Sequence, residues 1–263
     1  MPGWWRSWRR YWRTGARCPS ASGRTSGGGT RISSVEAPAG FLLPEEGREL
    51  LANNICRVYL VRHGVTEWNQ TMRYQGQIDV PLCDFGRGQA ARLAQRLATL
   101  EVDAFYTSDL VRAAETAAVV AAPHGLPVRP EPAFREMNFG RWEGLTSAQV
   151  RERFADVYRA WLEKPLGVRP PDGETYAEVA DRTRRGLAEL VGRHGGQRIV
   201  VVAHGGAIRC LIGTALGMDL NLFWKLRTDN ASLSILEYPE AGNGILLLFN
   251  DVSHLPANLP PAT

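Results

Sequence analysis

The chain has 263 residues, 44% hydrophobic and 22% charged, a composition ordinary for one α/β domain or two small ones. No run approaches the roughly 20 apolar residues that a membrane-spanning helix needs. The net charge is +4, but residues 1–34 carry seven arginines and no acid, so the rest of the chain carries −3. This balance gives the body of the chain no electrostatic bias towards nucleic acid.

The first 54 residues differ in composition from the rest. Tryptophan alternates with arginine over residues 4–13, and the Ser/Gly/Thr/Arg stretch that follows is too poor in apolar residues to pack a core. We interpret residues 1–54 as a disordered extension, or as upstream sequence read from a wrongly chosen start. A membrane-surface helix and a transit peptide stay open as alternatives. Residues 55–255 are the predicted folded domain, and 256–263 a predicted flexible tail.

From Arg57 onward, short apolar runs rich in strand formers alternate with helical periodicity. Strands are predicted at 58–61, 103–107 and 199–203, with a closing hairpin formed by 233–238 and 245–249. Helices are predicted at 86–100, 110–122, 146–163 and 175–194, and from about residue 207. The alternation predicts an α/β fold, a three-layer sandwich with a mostly parallel central sheet.

Two of the predicted buried strands end in the same way. The first runs into Arg62-His63-Gly64 and the second into His204-Gly205-Gly206. Ligands of a doubly covered parallel sheet bind outside the carboxyl ends of its strands, so we expect the two histidines to share one cleft. The glycine after each histidine allows the backbone to approach a ligand and to offer amide donors.

Four blocks of the sequence match one family pattern: LVRHGVTEWN at 60–69, YTSDLVRAAET at 106–116, REMNFGRWEG at 135–144 and VAHGG at 202–206. In this order and spacing they resemble the histidine phosphatase and phosphoglycerate mutase superfamily, over about residues 57–255. The resemblance implies a phosphoglycerate mutase-like fold. It also implies an enzyme that hydrolyses phosphate monoesters through a phosphohistidine, with no metal and no cofactor.

The resemblance implies that His63 is the nucleophile and His204 its phosphate partner. From the residues alone, either histidine could be the one that attacks. Arg62 and Arg112 would clamp the phosphoryl oxygens, because guanidinium matches their geometry and keeps its charge. We expect these two cations to lower the pKa of His63, and a backbone carbonyl to fix its tautomer.

Glu136 is the candidate acid that protonates the leaving oxygen and then the base that activates water. Glu143 is its rival, although a polar residue at a helix approach is the simpler interpretation of it. Further phosphate- or substrate-binding positions implied by the resemblance are Asn69, Thr66, Gln75, Gly76 and Gly205. Residues without a motif around them, interpreted as surface residues, are Asp79, His124, His194 and His254.

Other hydrolase chemistries lack their motifs in this sequence. It contains no GxxxxGK[ST] loop and no DxD pair, and its histidines are isolated rather than paired as in HxH metal sites. The four cysteines form no CxxC pair, which favours reduced thiols and a cytoplasmic location. We therefore expect no metal site.

Within the superfamily, the compact segment after Glu136 and the run Pro171-Asp172-Gly173-Glu174 are more similar to broad-specificity and α-ribazole-5′-phosphate phosphatases. Phosphoglycerate mutases generally carry a longer segment there. The expected partner is a small phosphate ester, with α-ribazole 5′-phosphate as one candidate, and neither nucleic acid nor, for the body, a membrane. A cofactor-dependent phosphoglycerate mutase and a non-enzymatic phosphate-binding pseudophosphatase remain alternatives, and the oligomeric state stays open.

Overall fold

The computed structural model describes residues 54–239 and 244–256. The predictions for the extension, for the turn of the closing hairpin and for the C-terminal tail therefore lie outside the described residues, apart from Asn54, Gly244 and Pro256. In the part of the chain that is described, no helix has both the length and the apolar character needed to span a membrane.

The described strands form one six-stranded sheet in the order β3-β2-β4-β1-β5-β6. The strands are β1 (Cys56–Arg62), β2 (Ala104–Thr107), β3 (Val128–Pro130), β4 (Arg198–Ala203), β5 (Leu233–Tyr238) and β6 (Ile245–Asp251). The first four run parallel to one another, whereas β5 and β6 are antiparallel additions. The mostly parallel α/β sheet is thus confirmed. β3 was not predicted, because three partly exposed residues on an edge carry no apolar pattern.

Helices cover both faces of this sheet. They are α1 (Glu67–Gln70), α2 (Asp84–Leu97), α3 (Val111–Ala121), α4 (Ser147–Arg153), α5 (Ala155–Glu163), α6 (Tyr176–Arg193) and α7 (Gly205–Ala215). Successive side chains of a strand point to opposite faces. Val58 and Leu60 therefore pack towards α6 and α7, while Tyr59 and Val61 pack towards α2 and α3. These two cores make the three-layer sandwich.

The predicted single helix at 146–163 is two helices in the structure. Phe154 leaves the helical conformation, with φ −134° and ψ 40°, and joins α4 to α5. Trp161 of α5 is then buried in a third, aromatic cluster with Trp142 and Tyr176. The sequence spacing was compatible with one continuous helix. In the structure the chain turns at Phe154, and Trp161 is buried.

Candidate active site

The register of two parallel strands brings the two predicted histidines together. Arg62 at the end of β1 pairs with Ala203 at the end of β4, so His63 and His204 each follow directly after a strand. Their ring centroids are 5.1 Å apart, and both side chains are buried. The expectation of one shared cleft agrees with this geometry.

His63 is held in one tautomer by its own neighbour. Its Nδ1 lies 2.7 Å from the carbonyl oxygen of Gly64. Because a carbonyl only accepts, Nδ1 carries the hydrogen and Nε2 keeps its lone pair in the neutral ring. Burial, then the charges of Arg112 and Arg62, hold the pKa of His63 well below its ordinary value of 6.5. The ring is therefore neutral at pH 7, with the lone pair of Nε2 available.

Two guanidinium groups flank the histidines, and neither forms a salt bridge with a carboxylate in the part of the chain that the structure describes. Arg112 is fully buried and donates to the carbonyl oxygens of Ile78 at 2.9 Å and Gly76 at 2.7 Å. Arg62 donates to the carbonyl oxygen of Thr228 at 2.6 Å. Burial lowers the pKa of each to about 10, so both stay charged at neutral pH. Paired cations in a desolvated pocket favour an anionic ligand.

His204 lies at the start of a helix that points its positive end into the same pocket. It is the extended N-cap residue of α7, and its Nε2 is 2.8 Å from Ser108 Oγ. Within the described residues, its Nδ1 is buried and has no hydrogen-bond partner, and the same holds for the hydroxyl of Thr228 nearby. Burial, then Arg112 and His63, hold the pKa of His204 well below its ordinary value. Helix N-termini bind phosphate through unsatisfied backbone N–H groups.

The two rival carboxyl groups occupy different places. Glu136 accepts hydrogen bonds from the backbone N–H of Met137 at 2.9 Å and of Gly206 at 3.0 Å. These two hydrogen bonds hold the Glu136 carboxyl group at the start of α7, next to His204. Glu143 accepts instead from the backbone N–H groups of Gln77 and Phe139, and burial raises its pKa. Glu136 is the carboxyl group fixed at the histidine end of the pocket, whereas Glu143 ties two loops together.

The predicted substrate-binding positions lie in the segments that follow β1 and β4, and several of them hold those segments in shape. Thr66 caps α1, and its hydroxyl donates to Gln75 Oε1 at 3.0 Å. Asn69 closes the capping box by accepting from the backbone N–H of Thr66 at 3.0 Å. Gly76 has a φ of +54° and offers its carbonyl oxygen to Arg112. A Cβ on Gly205 would lie 3.4 Å from the Arg62 guanidinium carbon.

Asn230 is a site residue that sequence reasoning missed. It is buried, and its Nδ2 donates to the carbonyl oxygens of His63 at 3.1 Å and Gly64 at 3.3 Å. It also donates to Asn69 Oδ1 at 3.3 Å. Asn230 lies just before a strand, and no local sequence pattern predicts that it contacts Gly64, 166 residues earlier in the chain. Only the sheet pairing of β1 with β5 brings them together.

Two of the surface interpretations were incomplete or wrong. Asp79 is exposed, but its carboxylate accepts from the backbone N–H of Val111 at 2.6 Å and so fixes the start of the helix that carries Arg112. His194 is buried and bonds to the hydroxyl of Tyr106 at 2.8 Å. Its interpretation as a surface histidine was wrong, because α6 packs its C-terminal end against β2.

The converging groups are two neutral imidazoles, two guanidinium groups, one carboxyl group and a helix N-terminus. Together they can hold a tetrahedral anion against a nucleophilic nitrogen and supply or remove one proton. Among residues 54–239 and 244–256, no group of three or more His, Cys, Asp or Glu side chains is placed to hold a metal ion.

Several named proteins are similar to this chain in sequence or in structure. Phosphoserine phosphatase 1 of Hydrogenobacter thermophilus is 38% identical over 201 residues, which cover 76% of this chain and 95% of that protein. The probable phosphoglycerate mutase GpmB of Photorhabdus laumondii is 37% identical over 210 residues, with coverages of 76% and 95%. The solved α-ribazole phosphatase of Shigella flexneri superposes with a TM-score of 0.69 at 31% identity, covering 74% of this chain and 96% of that one.

The sequence-family model of the histidine phosphatase superfamily (branch 1) matches residues 58–251. This range includes every residue of the pocket described above. With relatives above 30% identity over nearly their whole length, the resemblance seen in the sequence is confirmed. The chain therefore belongs to the histidine phosphatase superfamily and is an enzyme of its branch 1.

Proposed function

We propose that this chain is a phosphomonoester hydrolase that needs no metal ion and works through a phosphohistidine formed on His63. The observation that carries the proposal is the hydrogen bond of 2.7 Å between His63 Nδ1 and the Gly64 carbonyl. It leaves Nε2 as the nucleophilic atom, inside a pocket lined by the cations of Arg62 and Arg112. An imidazole that is buried, neutral and beside two such cations is suited to accept a phosphoryl group.

In the first step, His63 Nε2 attacks the phosphorus atom of the ester. The bond between phosphorus and the ester oxygen breaks, and a protonated Glu136 gives its proton to the leaving oxygen. Arg62, Arg112 and His204 stabilise the charge on the phosphoryl oxygens, together with the backbone at Gly205. Asn69 adds a donor, while Thr66, Gln75 and Gly76 shape the loop around the phosphate.

In the second step, the Glu136 carboxylate takes a proton from a water molecule as the water oxygen attacks phosphorus. The bond between phosphorus and His63 Nε2 breaks, which releases inorganic phosphate and restores the neutral imidazole. The hydrogen bonds from Met137 and Gly206 hold the Glu136 carboxyl group in place through both proton transfers. The same carboxyl group therefore ends the cycle protonated, ready for the next ester.

Residues 55–255 would form the catalytic domain, with 1–54 and 256–263 outside it. The match of the family model to 58–251 supports these limits. Cys56, Cys83 and Cys210 are free thiols in the part of the chain that the structure describes, which supports a reducing, cytoplasmic location.

The substrate would be a small phosphorylated metabolite. The solved relative named α-ribazole phosphatase supports α-ribazole 5′-phosphate as a candidate, and the relative named phosphoserine phosphatase adds phosphoserine. One observation favours a second function: a relative at 37% identity is named a phosphoglycerate mutase. The pseudophosphatase alternative loses support, because the nucleophile, both arginines and the carboxyl group are assembled in one pocket.

The test is a phosphate-release assay in EDTA. We would offer the purified chain p-nitrophenyl phosphate, phosphoserine, α-ribazole 5′-phosphate and 3-phosphoglycerate, and measure both inorganic phosphate and 2-phosphoglycerate. We expect phosphate release that survives chelation. Activity lost on chelation and restored by a divalent cation would rule out the metal-free mechanism. Formation of 2-phosphoglycerate faster than phosphate release would identify a mutase.

A further inference from the structure

Residues 228–232, which directly precede β5, pack against the loop that carries His63. Thr228 offers its carbonyl oxygen to Arg62, and the backbone N–H of Ala231 is 3.1 Å from the carbonyl oxygens of both Arg62 and His63. Ala231 is fully buried at a φ of +56°, a left-handed conformation that strains the backbone of a residue other than glycine. The rest of the structure thus holds this loop firmly against the end of β1.

Asn230 lies at the centre of this loop with a defined amide orientation. Its side chain is 1% exposed, and three oxygens surround its Nδ2: the carbonyls of His63 and Gly64, and Asn69 Oδ1. The two carbonyls can only accept, so the amide must present its NH₂ group to them. Among the described residues, its own Oδ1 is buried and accepts no hydrogen bond.

The Gly64 carbonyl is the link between Asn230 and the imidazole. It accepts from His63 Nδ1 at 2.7 Å and from Asn230 Nδ2 at 3.3 Å. Two donors on one oxygen restrain the orientation of the carbonyl group, and a carbonyl held in place sets the plane and the tautomer of the ring that donates to it. The third hydrogen bond runs from Asn230 Nδ2 to Asn69 Oδ1. It orients the Asn69 amide so that its oxygen also accepts from the backbone N–H of Thr66 in the capping box.

We propose that Asn230 is a positioning residue: by holding the Gly64 carbonyl, it keeps the His63 ring in the Nδ1–H tautomer and aims Nε2 at the phosphorus atom. The proposal rests on the proposed function, because it assumes that His63 is phosphorylated. Asn230 touches no reacting atom and acts through Gly64. Misplacing a reacting atom by about 1 Å can reduce a rate by about a hundredfold.

The experiment compares Asn230→Ala and Asn230→Asp with the wild type by single-turnover phosphorylation of His63 with p-nitrophenyl phosphate. Both variants lack the NH₂ donor, and the aspartate keeps the shape of the side chain. We expect the phosphorylation rate to fall by about tenfold to a hundredfold, with a smaller change in KM. The matched control is Ser234→Ala, which removes the buried hydrogen bond of 3.0 Å from the Asn250 backbone without contacting the His63 loop. Its rate should equal that of the wild type.

Nitrogen-15 NMR of the histidine rings supplies the second readout. In the wild type we expect His63 as the Nδ1–H tautomer, and in either variant a mixture of the two tautomers. Wild-type His63 in the Nε2–H tautomer would overturn the proposal, as would folded variants that phosphorylate at the wild-type rate. If both variants fail to fold while Ser234→Ala folds, Asn230 is a folding residue and the proposal is also overturned. A wild type without phosphatase activity would instead refute the proposed function.

Discussion

His63 and His204 occupy equivalent positions at the ends of two hydrogen-bonded parallel strands, and their ring centroids are 5.1 Å apart. Neighbouring strands of a sheet are about 4.8 Å apart, so the spacing of the rings is set by the sheet itself. The pocket between the two rings is therefore built on the ends of two hydrogen-bonded strands. Both rings are buried and both have a pKa well below the ordinary value, because each is desolvated near Arg62 and Arg112.

Replacing the nucleophile should separate catalysis from folding. We expect His63→Ala to lower kcat on p-nitrophenyl phosphate by at least about 10⁴-fold, the scale seen when a covalent nucleophile is removed. The fold should persist, because the variant deletes a buried polar ring and leaves the paired strands intact. Activity and circular dichroism measured on one preparation would check this. His124→Gln, at a partly exposed histidine whose ring is tilted by 50° against that of Phe105, is the control and should keep full activity.

The lowered pKa of His63 predicts activity at acidic pH. An ordinary imidazole is about 90% protonated one pH unit below its pKa of 6.5, whereas the pKa of His63 is held well below 6.5 by burial and by Arg112 and Arg62. The acid limb of kcat/KM should therefore show no loss centred at pH 6.5. A profile of kcat/KM from pH 4.5 to 8 checks this. A limb that titrates at 6.5 would contradict the burial of a neutral ring.

The same two histidines should make the stability depend on pH. In the unfolded chain both rings take up protons below about pH 6.5, and in the native state they do not. The free energy of unfolding should therefore fall as the pH drops below 6.5, by at most about 1.4 kcal/mol per pH unit for each histidine. Urea unfolding of the wild type and of a His63→Gln/His204→Gln variant at pH 7.5, 6.5 and 5.5 measures this. The double variant should show the weaker dependence, and equal slopes would refute the assignment.

Glu136→Gln should reveal an acid–base role through its dependence on the leaving group. A glutamine cannot protonate the leaving oxygen, so alkyl phosphates should slow far more than p-nitrophenyl phosphate, whose leaving group needs little protonation. Rates for a series of esters of increasing leaving-group pKa would give the slope. Glu143→Gln is the matched control, because its carboxyl group bonds Gln77 and Phe139 rather than Gly206. Equal slowing across all esters in Glu136→Gln would argue against the role.

A pair of glycine substitutions tests the loop beside Arg112. Gly76 has a φ of +54°, and a Cβ there would lie 1.8 Å from Glu143 Oε1. Gly76→Ala should cost about 1–3 kcal/mol for the backbone alone, and it should weaken phosphate binding by shifting the Gly76 carbonyl that holds Arg112. Gly88→Ala, in the exposed part of α2 with nothing within 4 Å of its Cβ, should stabilise by about 0.5–1 kcal/mol. Thermal unfolding of both variants, with and without inorganic phosphate, measures the change in stability and the stabilisation by bound phosphate. Equal stabilisation by phosphate in Gly76→Ala and in the wild type would contradict the predicted loss of binding.

Removing residues 1–54 should leave kcat and KM unchanged, because the family match begins at residue 58 and β1 begins at Cys56. The truncated and full-length chains would be assayed side by side. A change in KM would assign the extension a part in substrate binding.

The sequence by itself determined the elements that follow from local pattern. Apolar runs predicted β1 and β4, and helical spacing predicted α2, α3 and α6. The position directly after each of these two strands indicated His63 and His204 as candidate site residues. The predictions of the strands and helices are confirmed, because a buried strand needs a continuous apolar run. The two histidines lie close together because parallel strands end at one edge of a sheet. The family pattern added Arg112 and Glu136, which no periodicity would have singled out.

Only the tertiary structure decided which groups hold those residues in place. Asn230 reaches the Gly64 carbonyl across 166 positions of sequence, and Glu136 reaches the backbone of Gly206 across 70. It also decided that α4 and α5 separate at Phe154 and that His194 is buried. Contacts of this kind depend on how distant elements pack, and the propensity of a residue carries no information about a partner so far away in the chain.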